Sequence, residues 1–106
     1  MKTFVYLSYD LGIKGDYEGL YRFLALKEAR ECGDSFAYFR DYEYERNFLS
    51  EIKQEIAASV VLDAKSRIYV IYRDRNSKTR GRFLIGARKQ APWAGFATVG
   101  GSESDL

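Results

Sequence analysis

The chain has 106 residues, of which 46% are hydrophobic, 16% aromatic and 30% charged, enough for one domain with one core and too apolar for disorder. It has no histidine, which removes the Ser-His-Asp triad, the usual general base and nearly every zinc site. The net charge of +2 is a balance of unlike parts. Residues 1–64 carry 8 Lys/Arg against 12 Asp/Glu, residues 65–90 carry 9 against 1, and residues 91–106 carry none against 2. Such asymmetry points to an anionic partner for the basic stretch, nucleic acid first. The competing reading is a basic hairpin that neutralises the acidic half of its own fold or of a second subunit. The single Cys32 cannot form an internal disulfide, so a cytoplasmic location is expected. No apolar run approaches the roughly 20 residues of a membrane span, and Asp10 interrupts the N-terminal apolar stretch too early for a signal peptide.

Thr3–Tyr9 is rich in β-branched and aromatic residues and reads as a central strand, because both of its faces are largely apolar. Two glycines then punctuate a loop, and Asp16 is an N-cap with Glu18 in the first helical turn. Tyr17, Leu20, Tyr21 and Leu24 keep helical spacing to about Lys27. Ser35–Arg40 is a strand by composition, and Asp41–Tyr44 continues it at an edge. Gly33-Asp34 is either a bulge in one long strand or a hairpin turn; few residues precede it, which favours the bulge. Phe48, Leu49, Ile52 and Ile56 mark a second helix ending near Ser59. Arg67–Arg73 is the strongest strand, Asn76-Ser77-Lys78 is a turn, and Gly81–Ala87 is the return strand. Trp93 is expected to pack back on the body. The order β-α-β-α-β-β predicts an α+β, two-layer ferredoxin-like sandwich, mainly antiparallel, with both helices on one face. Residues 1–100 form the single domain, and 101–106 are expected to be a flexible tail.

With its strands so placed, the chain resembles the superfamily of virulence-associated protein D and the non-integrase subunit of the CRISPR spacer-acquisition complex. The matching residues are the strand-ending pair Tyr9-Asp10, the segment Gly33-Asp34-Ser35 leading into a strand, and Arg67-Ile68-Tyr69. Together these span about residues 3–73 and are short, common patterns. The resemblance implies a ferredoxin-like fold, homodimerisation through the sheets, and nucleic-acid contact or metal-dependent ribonuclease activity, with Asp10 at the position of a metal-binding acid. The basic hairpin followed by Pro92-Trp93 is larger than the family's terminal strand, and a shared fold does not by itself establish catalysis.

Asp10 therefore has two readings. Paired across a dimer axis, two Asp10 carboxylates would hold one Mg²⁺ for RNA hydrolysis; alternatively Asp10 accepts loop amides at Gly12 or Ile13 as an Asx turn. Ser35 has no base beside it and reads as turn chemistry, and Cys32 reads as a small structural residue. Gly12-Ile13-Lys14-Gly15 lacks the spacing of a phosphate loop. The strongest constellation is the basic hairpin 67–89, with Arg67, Arg73, Arg75, Lys78, Arg80, Arg82, Arg88 and Lys89. Strand alternation aligns Arg67, Tyr69, Ile71, Arg73 and Arg75 on one face, and Arg80 and Arg82 with Leu84 and Gly86 on the partner strand. Arginine stacks on bases and forks onto phosphates, and Tyr69 or Tyr72 would stack too if exposed. Tyr38, Tyr42 and Tyr44 with the neighbouring acids form an aromatic, acidic strip suited to pairing with another subunit. The function read from the sequence is a small homodimer that binds nucleic acid, RNA above DNA, through the hairpin, with Mg-dependent ribonuclease activity as an extension. Its rival is a non-catalytic interaction module that docks an acidic protein through the same hairpin.

Overall fold

A computed structural model of the chain describes residues 1–97 and 105–106. The elements are β1 (Lys2–Asp10), α1 (Tyr17–Leu26), β2 (Arg30–Glu31), β3 (Phe36–Glu43), α2 (Phe48–Ser59), β4 (Arg67–Arg73) and β5 (Thr79–Ile85). The strands form one sheet in the order β2-β3-β1-β4-β5, every neighbouring pair antiparallel. This is an α+β protein with one open sheet and two helices.

Alternation along β1 decides which face is covered. Thr3, Val5 and Leu7 are buried, as are Ala37 and Phe39 on β3 and Ile68 and Val70 on β4. Val5, Leu7, Phe39, Ile68 and Val70 pack in one cluster with Leu20 and Phe23 of α1 and Ile52 and Ile56 of α2, so both helices lie against this face. Each fully buried aliphatic side chain contributes roughly 1.5–3 kcal/mol. An aromatic corner adds Tyr72 against Phe48, ring centroids 4.6 Å apart, with Tyr42 edge-on to Phe48 at 5.7 Å. The helix starts follow from local chemistry. Asp16 accepts the Gly19 N–H at 3.0 Å and Asn47 the Ser50 N–H at 3.0 Å, satisfying amides that have no partner inside the helix. Glu51 reaches back to the N–H groups of Glu45, Arg46 and Asn47, and those bonds hold its carboxyl below the usual range.

Four expectations change. Gly33-Asp34 belongs to a hairpin turn and not to a bulge: Gly33 (φ 126°) and Ser35 (φ 59°) both have positive φ, which reverses the chain. The Phe36 N–H closes the turn onto the Gly33 carbonyl at 3.2 Å, and the short β2 pairs with β3, adding a strand to the expected order. Of the four α1 residues expected to share a face, Leu20 is buried and Tyr17 and Leu24 pack partly buried against the core, while Tyr21 is 53% exposed and Phe23 takes a buried place instead. Tyr42 and Tyr44 turn inward to the core instead of lining an external strip, since a bulge at residues 40–41 shifts the alternation of β3. Trp93 is 73% exposed, because a run of turns carries residues 92–97 off the sheet. Of the expected tail 101–106, residues 101–104 lie outside the described residues. No helix among the described residues is long and apolar enough to cross a membrane.

Candidate nucleic-acid interface

The sheet face turned away from the helices is where the unexplained side chains gather. Direct cross-strand partners share a face. One row across the sheet runs Arg30, Tyr38, Tyr6, Ile71, Gly81, and the next runs Phe36, Ser8, Tyr69, Phe83. No helix among the described residues covers these rows, and Tyr6 is 36% exposed. Its ring stacks with Tyr38 at 4.9 Å and with Phe36 at 5.8 Å, and Phe4 meets it edge-on at 5.9 Å. Tyr69 and Phe83 form a second aromatic pair at 4.8 Å. Cations lie over these rings, Arg73 at 5.4 Å from the Phe4 centroid and Arg88 at 5.4 Å from that of Phe83. Gly81 ends its row because a Cβ there would collide with the Tyr69 hydroxyl.

Beside the second row lies a cleft of about 350 Å³ between Ser8, Asp10, Arg67, Tyr69 and Arg88. A carboxylate is bound at its wall. The Tyr69 hydroxyl donates to Asp105 Oδ2 at 2.8 Å, and Arg88 approaches Asp105 Oδ1 at 2.9 Å. The Arg88 hydrogen bond, followed by that from Tyr69, holds the Asp105 carboxyl below the usual carboxylate range. Burial, followed by the bond to Asp105, pushes the Tyr69 hydroxyl up. Arg67 lies 3.7 Å from Asp10 Oδ2, and its buried Nε meets no acceptor among the described residues.

The structure divides the eight basic candidates instead of assembling them. Arg67, Arg73 and Arg88 face the aromatic rows. Arg80 and Arg82 stand opposite Tyr72 and Val70, which places them on the helix side of β5. Arg80 Nε is bound to Asp74 at 2.9 Å, and Arg82 donates to the Gly81 carbonyl at 2.7 Å. Arg75 and Lys78 are exposed in the turn beyond β4, so Arg75 is not aligned with Arg73 on a strand face. Lys89 is exposed beyond β5. Tyr72 is in the core against Phe48 and is not available for stacking.

Asp10 forms the Asx turn, with Oδ1 accepting the Gly12 N–H at 3.0 Å. Among the described residues no three acidic or cysteine side chains converge. A divalent hard cation needs several oxygen donors, and one chain offers only a carboxylate already shared between an amide and a guanidinium. The described donors of one chain do not by themselves make up a Mg²⁺ site, and the two-carboxylate arrangement requires Asp10 of a second copy. A second concavity, about 760 Å³, lies between α1 and the β2–β3 turn and is walled by Tyr9, Tyr17 and Tyr21. Burial, followed by the proximity of Tyr21, raises the Tyr9 hydroxyl.

Phe4, Tyr6 and Phe36 are the residues that sequence reasoning missed, while Tyr38 is singled out there only as part of an edge strip for a second subunit. Their signal was present as aromatics two apart on each of two strands. With both faces of those strands apolar, however, nothing in the sequence separates a buried ring from an open one. No family model matches the chain, and no curated protein or solved structure matches it.

Proposed function

We propose that this is a ferredoxin-like nucleic-acid-binding protein of the cytoplasm, RNA first among its ligands, whose basic hairpin β4–β5 contacts the phosphates. The order β2-β3-β1-β4, with helices after β1 and β3, supports the ferredoxin-like reading, β5 being an added edge strand. The observation that carries the functional reading is the anion already held in the cleft: the Asp105 carboxylate on Arg88 and Tyr69, with Arg67 beside it. A phosphate oxygen offers the same acceptor to the same donors, and arginine forks onto phosphate as it does onto carboxylate. Arg67, Arg73 and Arg88 are the contact residues on the open face, with Arg75, Lys78 and Lys89 extending the positive field from exposed positions. Arg80 is committed to Asp74 and contributes least.

The test is a fluorescence-anisotropy titration of labelled RNA at two salt concentrations. Binding should weaken as salt rises, with a slope set by the number of phosphates neutralised. The pair Arg73→Glu and Arg88→Glu should abolish it, while Arg80→Gln should leave most of it. Failure of the parent protein to bind at low salt ends the proposal.

A further inference from the structure

We infer that the ligand is single-stranded and that its bases stack on the uncovered sheet face, on the rings of Tyr6, Phe36 and Tyr38. This rests on the nucleic-acid reading above and narrows it to a ligand class.

The open face differs from the other in what covers its rings. The helix-covered face mixes the aliphatics Val5, Leu7, Ile68 and Val70 with the buried rings of Phe39, Tyr42 and Tyr72, and those rings are covered by α1 and α2. The open face presents contiguous aromatic rings that no described helix covers, with Tyr6 against Tyr38 at 4.9 Å and against Phe36 at 5.8 Å. An aromatic face accepts any base, because every base has a π-face to offer. Only an unpaired strand can use such a surface, since the bases of a duplex are stacked on one another and turned away from it.

Charge selects the occupant. Arg30 stands opposite Tyr38 at one end of the row, and Arg73 lies over Phe4. A strand whose bases lie on Tyr38 and Tyr6 thus runs its phosphates past guanidinium groups on both sides. Among the described residues, Asp10 is paired with Arg67, Asp105 with Arg88, Glu43 with Lys2 and Asp41, in the β3 bulge, with Arg40. A second copy of the chain is the natural rival for an apolar sheet face. A two-fold contact sets a patch against itself, so Arg30 and Arg73 would approach a face carrying the same cations, whereas a polyanion complements them.

The deciding experiment titrates the full chain with a short labelled single strand and with the duplex of the same sequence. It compares the parent, the pair Tyr6→Leu with Tyr38→Leu, and Tyr21→Leu on α1 as an aromatic control away from this face. Leucine keeps apolar area and removes the π-face. The parent should bind the single strand roughly tenfold or more tighter than the duplex, and the leucine pair should lose roughly tenfold or more for the single strand alone. The salt slope should stay unchanged, because no phosphate contact is removed. Tyr21→Leu should match the parent. Equal binding of both forms, unmoved by the leucine pair, overturns stacking and leaves the nucleic-acid reading standing. No binding of either form overturns both. A dimer in sedimentation that the leucine pair dissociates, without strand binding, gives the face to a second copy and overturns the inference. Should the leucine pair fail to fold, the ring-proton shifts of Tyr6, Phe36 and Tyr38 in the parent decide: upfield movement with the single strand supports stacking, and unmoved rings overturn it.

Discussion

The Asp16 carboxylate accepts the backbone N–H of Val61 at 2.8 Å while its other oxygen caps α1 through Gly19 at 3.0 Å. One side chain therefore joins the start of α1 to the point where the chain leaves α2. The Val61 bond, and then the Gly19 bond, hold its carboxyl below the usual range. A depressed carboxyl favours the folded state above the unfolded carboxylate pKa, and that contribution disappears as pH falls through the folded value. Asp16→Asn should lower the melting temperature by several degrees at neutral pH. The gap to the parent should narrow as pH falls below about 4, the unfolded carboxyl value, and close only below the depressed folded value, where the parent's carboxylate also protonates. Thermal melts at neutral and acid pH check this; a gap of constant size would show that the charge plays no part.

Gly86 sits where β5 ends, at φ 75°, and a Cβ there would lie 2.7 Å from the Ser66 carbonyl oxygen and 2.9 Å from Arg67 Cγ. Both the backbone conformation and the space demand glycine. Gly86→Ala should cost roughly 1–3 kcal/mol, read as a shift in urea midpoint. Because the displaced atoms belong to Arg67 and its neighbour, the variant should also weaken RNA binding. Unchanged stability would mean the turn rearranges freely.

Much of the fold was legible because it follows from period and punctuation. The spacing of Phe48, Leu49, Ile52 and Ile56 fixed α2, Asp16 marked the start of α1, and the hairpin from Arg67 onward showed its turn in Asn76-Ser77-Lys78. The β2 strand was not legible: two residues, Arg30 and Glu31, carry no pattern, and only the positive φ of Gly33 and Ser35 shows that the chain reverses. The candidate site was half legible. Charge counting found Arg67, Arg73 and Arg88, but not that Arg80 turns to Asp74 on the other side of the sheet, because face assignment needs the β4–β5 register. The ring of Tyr6 looked like core and that of Tyr38 like part of an acidic edge strip, since a sheet covered on one side and a sheet covered on both sides write similar strands when the open face is aromatic.

Tyr42 is buried among Phe39 and Phe48, and its hydroxyl meets no hydrogen-bond partner among the described residues. Burial, and then the negative charge of Glu55, push the hydroxyl far above the usual tyrosine range. A buried polar group without a partner weakens the fold, so Tyr42→Phe should leave stability unchanged or raise it by up to about 1 kcal/mol. A raised hydroxyl contributes stability below the unfolded tyrosine pKa and loses it as pH climbs further. The advantage of Tyr42→Phe should therefore grow above about pH 10. Denaturant titrations at neutral and alkaline pH measure both effects, and a clear loss of stability in the variant would reveal a hydrogen bond at that hydroxyl.

Asp105 occupies donors that the proposed ligand needs. Its carboxylate takes the Tyr69 hydroxyl and Arg88, and the Arg88 bond, then that of Tyr69, holds it below the usual carboxylate range. An incoming phosphate must therefore displace a like-charged group before it reaches the cleft. Asp105→Asn removes that competing charge and leaves the side-chain volume nearly unchanged. Retention on an immobilised polyanion should rise, with elution at higher salt than the parent, and the affinity for RNA should increase severalfold. The same substitution in an Arg88→Glu background should have little effect, because the donor that Asp105 occupies is gone; this non-additivity is the signature of direct coupling between the two side chains. Reduced retention in Asp105→Asn would show that the carboxylate positions Arg88 for its ligand instead of competing with it, and unchanged retention would move the phosphate contacts away from this cleft.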